Sequence, residues 1–249
     1  MSANTSDRPF GKFYNLSITG CKKFVFMARG RSASYEDQRD MILARAAELF
    51  ARRGYPSTSM NQVAEACNLS KATLYHYYRD KYSLLVSIAE GHVTRLAALV
   101  EDEQALLLAG EERLRYFIYR IVEAYAGAQD AHRVLTEDVK FLEPDDRERV
   151  LGKERLVVVA FSRAVTEMRP ELAGAHLAKP LTMLLFGMVN WMFTWIKPGG
   201  KLDHAAMGLI VADLFIGGIG KVEAGRPDMA AKKVSRKPSR AVLPGSTGG

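Results

Sequence analysis

Twenty residues in the first third of the chain, Ser59 to Tyr78, restrict its fold more than any other stretch. Ser59 is followed three residues on by Gln62. At that spacing a cap hydroxyl and the N3 side chain satisfy each other's backbone amides at a helix start. Ser70 gives the same kind of start signal eleven residues later. Between the two lies Asn68, a residue type that tolerates the left-handed backbone of a sharp helix stop. Two short helices joined so tightly, Ser59–Cys67 and Ser70–Tyr78, form a helix-turn-helix. Met60, Val63 and Ala64 supply the buried stripe of the first of these helices.

The flanks complete a small helical unit. Ile42, Leu43, Ala46, Ala47, Leu49 and Phe50 line one face of a helix from about Glu36 to Arg53, which Gly54 stops before Pro56. Asp80 caps a fourth helix that starts at Lys81 and runs beyond Leu99. Downstream, apolar residues keep recurring three and four apart. Helices are expected at Glu111–Gln129, His132–Phe141, Asp145–Met168, Lys179–Ile196 and from Asp203 to about Ile219. The class is therefore all-α, with about nine helices: a three-helix N-terminal unit followed by a larger helical domain. Apolar residues make up 48% of the chain and charged ones 25%, enough apolar material for a real core.

Charge is unevenly placed. The formal net charge is +7, yet residues 34–220 hold 22 basic and 25 acidic side chains. The basic excess sits in residues 1–33 and 221–249, read as a disordered N-terminal extension and a disordered basic tail. Met27 within the extension is a second possible start. High overall charge is thus weak support for nucleic-acid binding by the folded body, and the argument rests on the helix-turn-helix. Two distant cysteines, Cys21 and Cys67, build neither a disulfide framework nor a thiolate metal site, and a reducing cytoplasm suits them. The most apolar stretch, Leu181 to Ile196, is only 16 residues long and contains Thr182, Asn190 and Thr194. It reads as a buried helix rather than a membrane span. Phosphate loops, nucleophile elbows and paired-histidine motifs are all missing from the sequence, so no enzyme, cofactor or metal site is expected. His132 and Glu137 share one short helix without a third ligand nearby; a polar lining or a core hydrogen bond is the better reading.

In a helix-turn-helix the first helix braces the second, which lies in a major groove about 12 Å wide. Here the second helix would present Lys71, Ala72, Thr73 and His76 to the bases, with Tyr75 and Tyr77 beside the backbone. Leu74 and Tyr78 would point back into the core. The helix starts at Ser59 and Lys81 are placed to hold a phosphate strand.

The run from Ile42 through Leu85 resembles the DNA-binding domain of the tetracycline-repressor (TetR/AcrR) family. The resemblance is carried by Ala46-Ala47-Glu48-Leu49-Phe50, Arg53-Gly54-Tyr55, Thr58-Ser59-Met60-Asn61-Gln62-Val63-Ala64, Leu69 through Tyr78, and Lys81. Asn68 stands where the family has a turn glycine, and Tyr82 where a glutamate usually follows the lysine. The resemblance implies DNA contacts by Ser59, Lys71, Thr73, Tyr75, His76 and Lys81. It also implies a homodimer on a palindromic operator, joined through the last two helices of each chain, and repression relieved by a small effector.

The segment Asn190 to Trp195 with its Lys197-Pro198-Gly199-Gly200 exit is similar to one found in family members that control fatty-acid and steroid-ring degradation and respond to acyl-CoA thioesters. That similarity implies an acyl-CoA effector. A medium or long acyl chain needs deep apolar walls, which Phe161, Leu185, Met188 and Met192 would supply beside Asn190, Trp191 and Trp195. Trp191 and Trp195, four apart on one helix face, suit a dimer-interface stripe equally well. Residues 34–85 would then be the DNA-binding domain and 86–220 the effector and dimerisation domain. The other readings are a helix-turn-helix protein without ligand control and a sensor of aromatic or drug-like molecules.

Overall fold

The computed structural model describes residues 32–196 and 202–224. The expectations for residues 1–31, most of the basic tail and the Lys197-Pro198-Gly199-Gly200 exit lie outside the described residues, whereas Ser32 and Ala33, expected in the disordered extension, already belong to the first helix. Among the described residues the chain is all helical. The helices are α1 (Ser32–Arg53), α2 (Met60–Ala66), α3 (Lys71–Tyr77), α4 (Lys81–Val100), α5 (Glu103–Leu107) and α6 (Gly110–Ala126). They continue with α7 (Gln129–Asp138), α8 (Pro144–Met168), α9 (Glu171–Gly174), α10 (Ala178–Trp191) and α11 (His204–Ile219). Short 3-10 turns follow α7 at Val139–Phe141 and α10 at Met192–Thr194.

Local chemistry sets the early boundaries. The Ser59 hydroxyl accepts from the Gln62 amide at 3.3 Å while the Gln62 side chain accepts from the Ser59 amide at 2.8 Å. Ser70 caps α3 by accepting from the Thr73 amide at 3.0 Å, and Asp80 caps α4 by accepting from the Ser83 amide at 2.7 Å. Asn68 adopts φ +53°, so its left-handed backbone makes the turn between α2 and α3. Gly54, at φ +82°, ends α1. Asp203 caps α11 through the Ala206 amide.

The later boundaries shift for tertiary reasons. The helix expected over Lys179–Ile196 yields to a tighter turn at Met192, whose side chain is buried. The two helices beyond the expected nine, α5 and α9, are of five and four residues, too short to show a periodicity. α6 starts at Gly110, whose backbone N–H donates to Glu167 on α8 at 3.1 Å, a partner 57 residues away.

Two apolar clusters hold the described body. One joins α1, α2, α3 and the first half of α4 through Ile42, Phe50, Val63, Leu74 and Leu84. It also draws in Val134 and Leu135 from α7, Leu142, and Val150 from α8. The other is built from α4, α6, α8, α10 and α11 around Leu114, Ile118, Phe161, Leu185 and Phe215. The span Lys81–Leu107 is long and apolar enough to cross a membrane. Within it, Leu84, Leu85, Ile88, Ala89, Val93, Leu96 and Ala97 of α4 are instead buried against neighbouring helices.

Candidate DNA interface and effector cleft

Helix α3 divides its side chains as a groove-reading helix must. Leu74 is fully buried and Tyr78 nearly so, which pins the inner face; burying a leucine is worth about 1.5–3 kcal/mol. Lys71, Ala72, Thr73, Tyr75 and His76 are exposed on the outer face, and Tyr77 is half-buried against the His76 ring. The Lys71 ammonium lies 5.8 Å from the centre of the Tyr75 ring, so the two lean together at one edge. Thr73 Oγ1 is 2.7 Å from the Ser70 hydroxyl. Ser59 is exposed at the start of α2, its hydroxyl engaged in the capping box.

Lys81 is occupied differently. Its ammonium donates to the Tyr55 carbonyl at 2.8 Å and the Pro56 carbonyl at 3.1 Å, and sits 4.4 Å from the centre of the Tyr55 ring. It ties the start of α4 to the loop before α2. Sequence reasoning missed Tyr55, the hub of this joint. Its ring packs edge-on to Phe50 and lies 5.4 Å from Phe141, and its backbone N–H donates to the Asp138 carboxylate.

A cleft of about 170 Å³ opens between α4, α6, α7, α8 and α10. Its walls include Val93, Leu96, Leu135, Val157 and Phe186, with polar groups from Thr136, Glu154 and Asn190. Of the seven residues expected about an effector, Asn190 alone lines this cleft. Phe161, Leu185 and Met192 are buried in the second core cluster. Met188 and Trp191 face outward on the side of α10 that carries Leu184, and Trp195, after the 3-10 turn, is exposed as well; the tryptophans are 67% and 48% exposed. The physical reason is that Thr182, Leu185, Phe186, Val189 and Met192 take the inward stripe. That leaves the tryptophan pair exposed. Exposed Leu209, Ile210 and Leu214 on α11 give that helix an apolar outer face as well.

Beside the cleft, His132 and His92 are buried and hydrogen bonded, Nδ1 to Nε2, at 3.2 Å. The Tyr125 ring stacks on His132 with centres 3.8 Å apart. Burial, with His132 and Arg95 nearby, holds His92 down at about 3, and burial puts His132 at about 4. Both rings are therefore neutral near pH 7, and His132 belongs to a core hydrogen bond, while Glu137 pairs with Arg133 at 2.9 Å. Burial raises the Glu154 carboxyl above its usual range. Among the described residues no cluster of His, Cys, Asp or Glu is built to hold a metal. A wider groove of about 650 Å³ runs between α1, α4 and the α6–α7 turn. Asp40, Arg95, Glu123 and Asp130 share its lining with Leu43, Ile88, Leu96 and several alanines.

A braced recognition helix with a polar outer face, set beside a helical domain with its own cleft, defines a one-component DNA-binding regulator. Comparison with known proteins makes the class specific. Residues 42–88 match the family "Bacterial regulatory proteins, tetR family" and residues 108–219 match "Tetracyclin repressor-like, C-terminal domain". A TetR-family transcriptional regulator from Bordetella parapertussis is 34% identical, with TM-score 0.68, over 73% of this chain and 95% of that one. The chain belongs to the TetR family; it is a helix-turn-helix transcriptional regulator and not an enzyme. The transcriptional activator FasR of Mycolicibacterium smegmatis is 24% identical over 178 residues, 70% of this chain and 80% of its own length. The structure of AibR in complex with isovaleryl coenzyme A and operator DNA is 26% identical, with TM-score 0.60, over 74% of this chain and 96% of that one.

Proposed function

We propose that the chain is a cytoplasmic homodimeric repressor that leaves a palindromic operator when an acyl-CoA thioester enters the cleft. In this reading residues 34–85 bind DNA and residues 86–220 bind the effector and the partner subunit. Lys71 and Tyr75 hold backbone phosphates, with Ser59 and the free N–H of Lys81 on the flanks. Ala72, the Thr73 methyl and His76 meet base edges. The outer stripe Leu184–Met188–Trp191–Trp195 and the outer face of α11 meet their two-fold copies, which fixes the distance between recognition helices. The acyl-thioester class is supported by AibR, which binds isovaleryl coenzyme A.

One observation carries the effector reading. Val93 and Leu135 line the cleft and are also members of the apolar cluster beneath the helix-turn-helix. A ligand that moves these two side chains moves the packing that orients α3. To change operator affinity it must bind the released arrangement better than the DNA-bound one.

The test is operator selection from random duplexes, followed by fluorescence anisotropy with a panel of CoA thioesters. A thioester of the right acyl group is expected to weaken binding at least tenfold, with free CoA inert. Should every thioester leave the affinity within twofold, the acyl-thioester effector is wrong, while the family assignment is untouched.

A further inference from the structure

We propose that the cleft takes a compact organic ammonium group, a basic nitrogen on a ring or short chain, which donates to the Glu154 carboxylate in the cleft wall. The inference rests on reading this cleft as the effector site, and names the end of the effector that it encloses. On a thioester, that is the far end of the acyl group.

Charge comes first. Glu154 lines the cleft from α8, and among the described residues its carboxylate has neither an ion pair nor a hydrogen bond. The cations beside it in the chain are committed elsewhere: Lys153 donates to the Thr94 hydroxyl at 2.6 Å, and Arg155 pairs with Glu148. Burial raises the Glu154 carboxyl, and no neighbouring cation pulls it back down. A carboxylate so placed is costly until an opposite charge reaches it. An ammonium at hydrogen-bond distance favours the ionised form and offsets the lost solvation.

Access comes second. Glu154 is half-buried, and its oxygens, unlike Asn190 Oδ1, are not sealed from water. Tyr125 lines the same cleft, near enough to Glu154 for the two to interact electrostatically. Its hydroxyl has no hydrogen-bond partner among the described residues and is not sealed either. An ammonium carries several N–H donors, so one nitrogen can serve the carboxylate and the tyrosine oxygen together.

Size and walls come third. The cleft's 170 Å³ is close to the roughly 150 Å³ of an engineered apolar cavity that admits benzene. The nitrogen therefore arrives on a ring or a short branched chain. Val93, Leu96 and Val157 give that part an apolar wall, and the Phe186 ring adds an aromatic surface that attracts a cation. No lysine or arginine lines the cleft, so an anionic group finds no partner in it. Met183, half-exposed, offers a flexible edge over which the rest of a larger molecule can leave.

The probes are benzylamine, benzyl alcohol and benzoate, titrated at pH 7 against the full-length protein by ligand-observed NMR. They share a ring and differ in charge: cation, neutral and anion. Benzylamine is expected to bind about tenfold more tightly than benzyl alcohol, with benzoate weakest. Glu154→Gln keeps the shape and removes the charge, so benzylamine should there fall within twofold of benzyl alcohol. Asp130→Asn, in the wider groove, should leave the benzylamine preference intact, which separates the cleft from a general attraction of cations to acidic surface. Should Glu154→Gln not fold, Val158→Phe narrows the cleft without touching the charge and should abolish benzylamine binding. Equal binding of benzylamine and benzyl alcohol, no saturable benzylamine binding, a preference that survives Glu154→Gln, or binding unchanged by Val158→Phe overturns the proposal. Benzylamine selectivity without any thioester effect on operator binding would keep this cleft chemistry and remove the acyl-thioester effector. Thioester release with no benzylamine preference would do the reverse.

Discussion

Acidification from pH 7.5 to 5.5 should destabilise this protein by an amount set mainly by His92 and His132. Both rings are buried, with folded-state values near 3 and 4, against about 6.5 in an unfolded chain. Below pH 6.5 the unfolded state takes up protons that the folded state refuses, so stability is full above 6.5 and falls as the pH drops toward 4. At pH 5.5 each ring contributes a loss of about 1.4 kcal/mol, together about 2.7 kcal/mol. For a chain of this size that corresponds to roughly 5–10 °C in melting temperature. Burial raises Glu154 and Asp138 instead, so their protonation favours the folded state as pH falls and acts in the opposite direction. A comparison with the double variant His92→Leu, His132→Phe cancels that contribution. Circular-dichroism melts at both pH values and one protein concentration are the assay. The parent should lose several degrees more than the variant on acidification. Equal losses in the two proteins would refute the argument that these rings stay neutral in the fold.

Lys71→Ala should weaken operator binding and reduce the salt slope by about one, while leaving the melting temperature within a degree. Lys81→Ala should lower stability by about 1–3 kcal/mol, because two carbonyls lose a charged donor, and weaken DNA binding as well; an unchanged melting curve would show the joint at Tyr55 to be idle. Thr73→Ala or His76→Ala should change which sequences are selected rather than overall affinity, as read by selection and sequencing. Leu184→Glu, on the exposed stripe, should give a folded monomer by light scattering, whereas Phe215→Asp, inside the protomer's own core, should unfold the chain.

What could be read directly from the sequence was what local chemistry decides. Ser59 with Gln62, Ser70, Asn68 and Asp80 act on backbone groups within three residues of themselves, so their spacing alone marks α2, α3 and α4. Leu74 and Tyr78 then face the core because a seven-residue helix offers one inner stripe. The cleft is different. Val93, Tyr125, Leu135, Glu154 and Asn190 come from five helices, and no periodicity announces which of them will meet. α10 is apolar around nearly its whole circumference, so the pattern could not say which stripe faces inward. Trp191 and Trp195 suited a pocket and an interface equally well as a sequence; packing of Leu185, Phe186 and Val189 against α8 turns them outward. Lys81 shows the same limit on a smaller scale: a lysine at a helix start suits a phosphate, and only the fold brings the carbonyls of Tyr55 and Pro56 to it.

Two runs of packed elements lead from the cleft, and they end at the same joint. One is α4 itself, with Val93 on the cleft and Lys81 at its start. The other is α7, with His132, Leu135 and Thr136 on the cleft, and Asp138 and then Phe141 against Tyr55. Lys81 clasps the Tyr55 carbonyl, so the two paths close into a loop of packed elements. In the proposed mechanism, a ligand wedged between α4 and α7 would load that clasp, since cores repack between discrete arrangements. Tyr55 opens the loop that leads through Thr58 and Ser59 into α2, the brace for α3; Thr58 anchors that loop by donating to the Gly54 carbonyl at 3.0 Å. In that mechanism, displacement at the clasp would act on the brace α2 first. A tenfold loss of operator affinity requires about 1.4 kcal/mol of difference in ligand binding between the two arrangements. That is within the range of one buried hydrogen bond gained in the cleft or one lost at Lys81.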